Sequence, residues 1–476
     1  MTVLLTGSTL TLDDVGRVAR DAERVELAPE AVERMLARRA IVERVSSEGT
    51  PAYGVTTGVG MRRDASVDAR EAAAFNRSAI LGHLVGLGPS TSEEVVRAAL
   101  VCHANGLVAG YQGVRPAVVE RYTAALNGSA TASVHALGTV GQADLALNAD
   151  LAYGVLGDLE LEAGEALALL NTNAFSTGHA ALVVVDARRW LEWADAAATL
   201  DFEAFRGHVG ALHPEVARVR GSAGVSDTLA RLHELLAGSG LWEPDAARFL
   251  QDPLTFRCVP QIHGAARDAL GFVERQVETA LNAHQGNPLV VADEGRLVSV
   301  GNFDSQAIAT ALDLARLALA PVVTACVERA LKLLSPRFSS LTEGLVAQEA
   351  SWQDGLSELG VAGQAIAAEA RLLAQPVSIE LASTMQESGV EDRMALSSLG
   401  ARRLSEMLDL AARVVAIELT VAAQAVDLRG VERIGRGAGA THDLVRGRIA
   451  FLDHPEQMPL PLEELAGAVR ATPAPA

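Results

Sequence analysis

Residues 53 to 60 read Tyr53-Gly54-Val55-Thr56-Thr57-Gly58-Val59-Gly60. Three glycines and two threonines favour a loop over a helix, and the ionisable group at its head is a phenol. A phenol with a pKa of about 10 serves as a base only where its surroundings stabilise phenolate, which converging backbone amides of such a loop can do. A second group with chemical potential is Asp304, just ahead of an apolar run that starts at Ser305. A carboxylate there can bind an amine, move a proton, or cap a helix, since Asp is a favoured N-cap. The three cysteines, Cys102, Cys258 and Cys326, are odd in number and far apart, with no CxxC or Cys/His ligand spacing. Neither a disulfide framework nor a structural zinc site is expected, and no metal is.

The elements that must hold these groups are mostly helices. From Leu12 to about Ser47, Ala, Val, Leu and Arg recur at helical spacing, with Thr11 and Asp13 placed to cap a first helix and Pro29 just inside a second. Thr91 to Val108, Ala180 to Phe205, Ala265 to Ala283, Ser305 to Leu334, Val361 to Leu373 and Glu391 to Val426 repeat their apolar residues every three or four positions. Leu289 to Val291 and Leu297 to Val300 have strand character and flank Asp293-Glu294-Gly295-Arg296, a good hairpin turn. No linker or internal repeat divides the chain, so the expected architecture is mainly α: an elongated helical bundle, loop-rich over residues 1–200 and built of long helices over 201–476, forming one continuous unit. The Ser305 to Leu334 segment is apolar around much of its circumference, which suits the centre of a bundle or of a homo-oligomer.

The chain has 476 residues, 40 basic against 59 acidic, and a formal charge of −19. That sign repels phosphate backbones and anionic lipid surfaces, which leaves small molecules as the expected partners, with no nucleic acid and no membrane. The segment Met1 to Leu12 lacks the pattern of a signal peptide, no window approaches about 20 uninterrupted apolar residues, and a cytoplasmic protein is expected.

Five segments in order, YGVTTGVG (53–60), NGLVAGYQGVRP (105–116), GTVGQADL (138–145), QDPLTFRCVPQIHG (251–264) and GNF (301–303), together resemble the histidine and phenylalanine ammonia-lyase and aminomutase family. The resemblance spans roughly residues 1 to 430. It implies the family's mainly helical fold and homotetrameric assembly. In that family three neighbouring residues, usually Ala-Ser-Gly, cyclise to an electrophilic methylidene imidazolone. Here the stretch is one residue shorter, Gln142 and Ala143 occupy the position, and both the Ser that loses water and the Gly whose amide attacks are missing. Nearby Gly128, Ser129 and Ser133 form no X-Ser-Gly triplet. No cofactor is expected.

The resemblance also implies roles. Tyr53 matches the general base toward the β-proton, and Arg257 the arginine that pairs with the substrate carboxylate, for which a planar guanidinium fork is suited. Asn171 matches an Asn that holds substrate, though Thr172-Asn173 replaces the usual Gly-Thr; Asn is also a common turn residue. His83 and Glu391 match groups of the histidine-specific members that face the substrate side chain, with Val390 in place of the usual Gln, and a lone His is equally a core residue. Asn302 and Phe303 retain the family pattern, and Asp304 departs from it. Leu254 stands where the family has a tyrosine, while Gln261 and His263 read as structural. The expected function is a lyase-like reaction without the built-in electrophile: proton abstraction by Tyr53, then elimination, isomerisation or cyclisation of a small carboxylate-bearing, amino-acid-like substrate. The alternative is a catalytically silent homologue acting as a scaffold or ligand-binding protein.

Overall fold

Thr11 opens the first helix as its spacing predicts. In the computed structural model, which describes residues 2–128, 132–347, 353–379 and 391–476, the Thr11 side chain accepts from the Asp14 amide and the Asp14 carboxylate accepts from the Thr11 amide. The reciprocal partner is thus Asp14, since the helix spans Leu12–Arg20. Pro29 begins the next helix, Pro29–Glu48, which Gly49 closes in the left-handed region. Between them lies an element that composition does not signal. Arg24–Leu27 pairs in parallel with Thr2–Leu5, with Val3 opposite Val25 and Leu5 opposite Leu27.

The periodic segments fold as helices Glu93–Val108, Ala174–Phe205, Val259–Leu281, Gln306–Leu334, Ser357–Leu372 and Ser397–Arg429. The hairpin forms with Leu289 opposite Val298 and Val291 opposite Arg296, and Gly295 supplies the positive φ of its turn. Gln306–Leu334 is long and apolar enough to cross a membrane by length and composition, although Asp313 and Arg316 interrupt its apolar run. Its most apolar window is 61% buried, as a core helix is, because Ala, Leu and Val cover most of its circumference.

The chain forms two compact units from interleaved stretches: residues 1–185, 273–313 and 376–402 in one, and 186–272, 314–375 and 403–476 in the other. In the first unit, a run of buried side chains on Glu93–Val108 includes Ala98, Leu100, Val101 and Leu107. The second unit buries charge as well as apolar surface. Arg329 Nε lies 2.9 Å from Asp201 and its Nη2 2.7 Å from Glu418, with all three side chains fully buried. His263 meets Asp195 at 2.7 Å, also fully buried, and Arg267 pairs with the same carboxylate. Against the desolvation of burial, these two partners hold the Asp195 carboxyl below its usual range. His263 is thereby tied into a buried charged network.

Candidate active site

A cavity of about 710 Å³ in the first unit is where the chemistry-bearing residues meet. One wall comes from the helix Ala72–Gly82 and the residue that ends it. Phe75, Ala79 and His83 recur every four residues, so they share a face and line the space. His83 Nδ1 lies 2.7 Å from the Ala79 carbonyl; donating there, the neutral ring keeps Nε2 as an acceptor. Asn76, buried in the same helix, accepts from the Ala166 amide at 2.8 Å and ties the wall to the short helix Glu165–Leu170. That helix contributes Leu167, Leu170 and, at its end, Asn171. The turn that places Asn171 is fixed from behind. Asn148 Nδ2 donates to the Leu170 and Thr172 carbonyls at 3.0 and 2.7 Å, and the Asp144 amide donates to Thr172 at 2.9 Å.

The glycine-rich segment is a closed loop. Val55, Thr56 and Thr57 amides converge on the Ala52 carbonyl, the Gly58 amide reaches Ala65, and Thr57 bridges to Ser66. Gly54 is required there: its φ is +68°, and a Cβ would lie 2.2 Å from the Leu167 side chain. The Tyr53 hydroxyl oxygen accepts from the Gly60 amide at 3.0 Å. Among the described residues only that amide reaches it, where sequence reasoning anticipates several. Burial pushes the phenol up from its ordinary value, the Gly60 hydrogen bond and the Arg63 charge oppose, and the Glu391 carboxylate adds to the rise. Tyr53 and Glu391 thus sense each other across the cavity they both line. Replacing Glu391 with Gln removes the negative charge, and the expected result is a Tyr53 titration displaced toward acid, read as the midpoint of the alkaline limb of a pH–rate profile.

The segment from Gly141 to Asp144 contributes Gln142 to the lining. The Ala143 amide donates to Phe303 at 3.4 Å, Gln142 pairs with Asp304 as an isolated antiparallel bridge, and Thr139 Oγ donates to Asp144 at 3.1 Å. Gly141 packs 2.7 Å, measured to its would-be Cβ, from the Leu396 amide, and its carbonyl accepts from Ser305 Oγ at 2.6 Å. A methylidene imidazolone does not fit this segment. Gln142 has no β-hydroxyl to lose, and the Ala143 and Asp144 amides that would have to attack are donating to Phe303 and Thr172.

Of the residues singled out in the sequence, Tyr53, His83, Gln142, Asn171, Phe303, Asp304 and Glu391 all line this one cavity. Asn302 is exposed and does not. Arg257 belongs to the second unit, where its guanidinium donates to Gln251 at 2.9 Å; it is not part of this cavity wall. Leu254 is 60% exposed. Ser129 and Val390 lie outside the described residues. The lining also holds residues that sequence reasoning missed: Arg62, Arg63, Asn287, Asp392 and Arg393. The adjacency of Arg62 and Arg63 to the loop was the available signal. Asn171 Oδ1 and Glu391 Oε2 are buried with no hydrogen-bond partner among the described residues, an arrangement whose cost of about 1–3 kcal/mol per group a bound donor would relieve.

The aromatic amino acid lyase family matches residues 10–447. The chain belongs to that family. It is 33% identical over 98% of its length to a histidine ammonia-lyase from Myxococcus xanthus, covering 96% of that protein. Among solved structures, ergothionase from Treponema denticola, an ergothioneine-degrading enzyme, superposes with a TM-score of 0.92 at 26% identity, with 99% of each chain covered. Tyrosine aminomutase from Streptomyces globisporus gives 0.92 at 27%, with 99% of this chain and 97% of that one covered. The fold is the ammonia-lyase and aminomutase fold, and the protein is a lyase-like enzyme of small-molecule, amino-acid-type substrates.

Proposed function

We propose that this enzyme abstracts a proton β to a carboxylate with Tyr53 and completes an elimination, isomerisation or cyclisation without a methylidene imidazolone, on a substrate that brings its own leaving group or electron sink. The observation that carries this reading is the meeting of Tyr53, Glu391, Asn171 and His83 at one cavity that Gln142 also lines. A base, two acceptors without a partner among the described residues, and an imidazole remain where the covalent electrophile does not fit. Elimination is the favoured branch, because the cavity holds a proton acceptor and both signs of charge, which suit a proton and a cationic leaving group. The substrate carboxylate falls to Arg62, Arg63 and Arg393 in the lining. Asn302 and Phe303 complete the substrate-binding set of the family pattern, Phe303 from the cavity wall. The active form is a homotetramer in the cytoplasm. The ergothioneine-degrading relative supports a substrate in which an amine is already alkylated.

The test has two arms. Intact-protein mass spectrometry should return the mass of the unmodified chain, with no loss of water from residues 138–145. Histidine, tyrosine, phenylalanine and their N-alkylated derivatives are then incubated with the enzyme, and the conjugated acrylate product is followed by its ultraviolet absorbance. A dehydrated chain, or release of ammonia from free histidine at the expense of every alkylated derivative, would replace this reading with ordinary ammonia-lyase chemistry.

A further inference from the structure

Asp304 departs from the family pattern, and its surroundings say more than its type. One carboxylate oxygen accepts from the Gln306 amide at 2.9 Å and so satisfies the first turn of Gln306–Leu334. The other meets Gln142 Nε2 at 3.3 Å and the Arg393 guanidinium at 3.6 Å. Both contacts are longer than the roughly 2.7–2.9 Å of a strong charge-assisted bond, so this oxygen keeps capacity for a further cation. Its backbone is pinned by the pairing with Gln142, and the neighbouring Phe303 carbonyl accepts from both the Ala143 amide and the Asn173 side chain. A rigid carboxylate therefore stands in the cavity wall, next to the residue that replaces the cyclising triplet.

We propose that Asp304, positioned by Gln142, is the subsite for a positively charged leaving nitrogen on the substrate. This rests on the elimination reading above. With no covalent electron sink, nitrogen departs as a neutral amine only from a cation, either a protonated or a quaternary ammonium. Tyr53 oxygen takes the β-proton, the C–H electron pair becomes the new carbon–carbon double bond, and the C–N pair leaves with nitrogen. No further reactant is needed. Asp304 selects the cationic form of the substrate, Arg62 and Arg63 provide the opposite sign for its carboxylate, and Phe75 and Phe303 line the same space with aromatic surface that suits an alkylated cation.

Isothermal titration of the full-length protein with histidine, its N,N,N-trimethyl betaine and imidazolepropionate tests this. Asp304→Asn keeps an oxygen for the Gln306 amide, so the helix start is preserved, and thermal melting verifies the fold. The expected result is that Asp304→Asn weakens the ammonium probes by about tenfold or more, with imidazolepropionate within about twofold of wild type. Gln142→Ala should shift the same preference by less, a selectivity change that a merely structural role would not produce. Whichever ammonium probe binds more tightly identifies the protonated or the quaternary form. If wild type prefers the ammonium probes and Asp304→Asn retains that preference, or if wild type shows no preference, the assignment of Asp304 is overturned and the elimination reading stands. If wild type binds none of the three probes, the elimination reading falls, and the subsite with it.

Discussion

Tyr53→Phe is expected to lower kcat/KM by roughly 10²–10⁴-fold, the contribution of a positioned general base, while leaving the protein folded. The loop does not depend on the phenol: the Ala52 carbonyl gathers three amides and Thr57 bridges to Ser66, so only the Gly60 amide loses a partner, at a cost of about 1 kcal/mol. A melting curve close to wild type beside collapsed turnover is the result to look for. Turnover that survives in the variant would take the base away from Tyr53. The wild-type pH dependence carries the same signature. Burial holds the phenol above its ordinary value, so the phenolate is the minor form at neutral pH, and kcat/KM should rise about tenfold per pH unit from pH 7 into the alkaline range. Tyr53→Phe should flatten that limb.

The largest effect on stability is expected in the second unit, where one guanidinium serves two carboxylates. Arg329 bonds Asp201 and Glu418 with no exposure of any of the three side chains, and also donates to the Thr255 carbonyl at 3.3 Å. Burial first, and then the adjacent Glu418, raise the Asp201 carboxyl well above the usual range, while Arg329 opposes. Arg329→Met fits the volume but leaves two buried acids without a counter-ion, and we expect a loss of about 3–5 kcal/mol in urea unfolding. Because the Asp201 pKa is raised, the stability it contributes is fully present below its unfolded value of about 4 and is lost as pH rises through its folded value. The penalty of Arg329→Met should therefore be smaller in acid, where the Asp201 carboxyl is neutral and less charge is left uncompensated, than in alkali. An equal loss at both would mean that the carboxylates find another partner.

Helix periodicity, the Thr11 cap, Pro29 at a helix start, the hairpin around Gly295 and the looping of residues 53–60 are written locally, because propensity, capping and positive-φ demands act over a few residues. That neither Ser nor Gly stands at 142–143 is likewise plain in the chain. The parallel pairing of Thr2–Leu5 with Arg24–Leu27 was not legible, since four-residue strands gain their stability from the partner and not from their own composition. Nor were Arg62, Arg63 and Arg393 as cavity residues: a surface arginine and a pocket arginine look alike until the backbone closes around one of them. Tyr53 sharing a cavity with Glu391, and Gln142 paired with Asp304, join stretches far apart in sequence, brought together only by loop closure and helix packing. The residue types set which chemistry was possible. Tertiary structure decided which of those groups share a cavity, because a charge or a proton acceptor acts over a few ångströms and local sequence does not encode that distance.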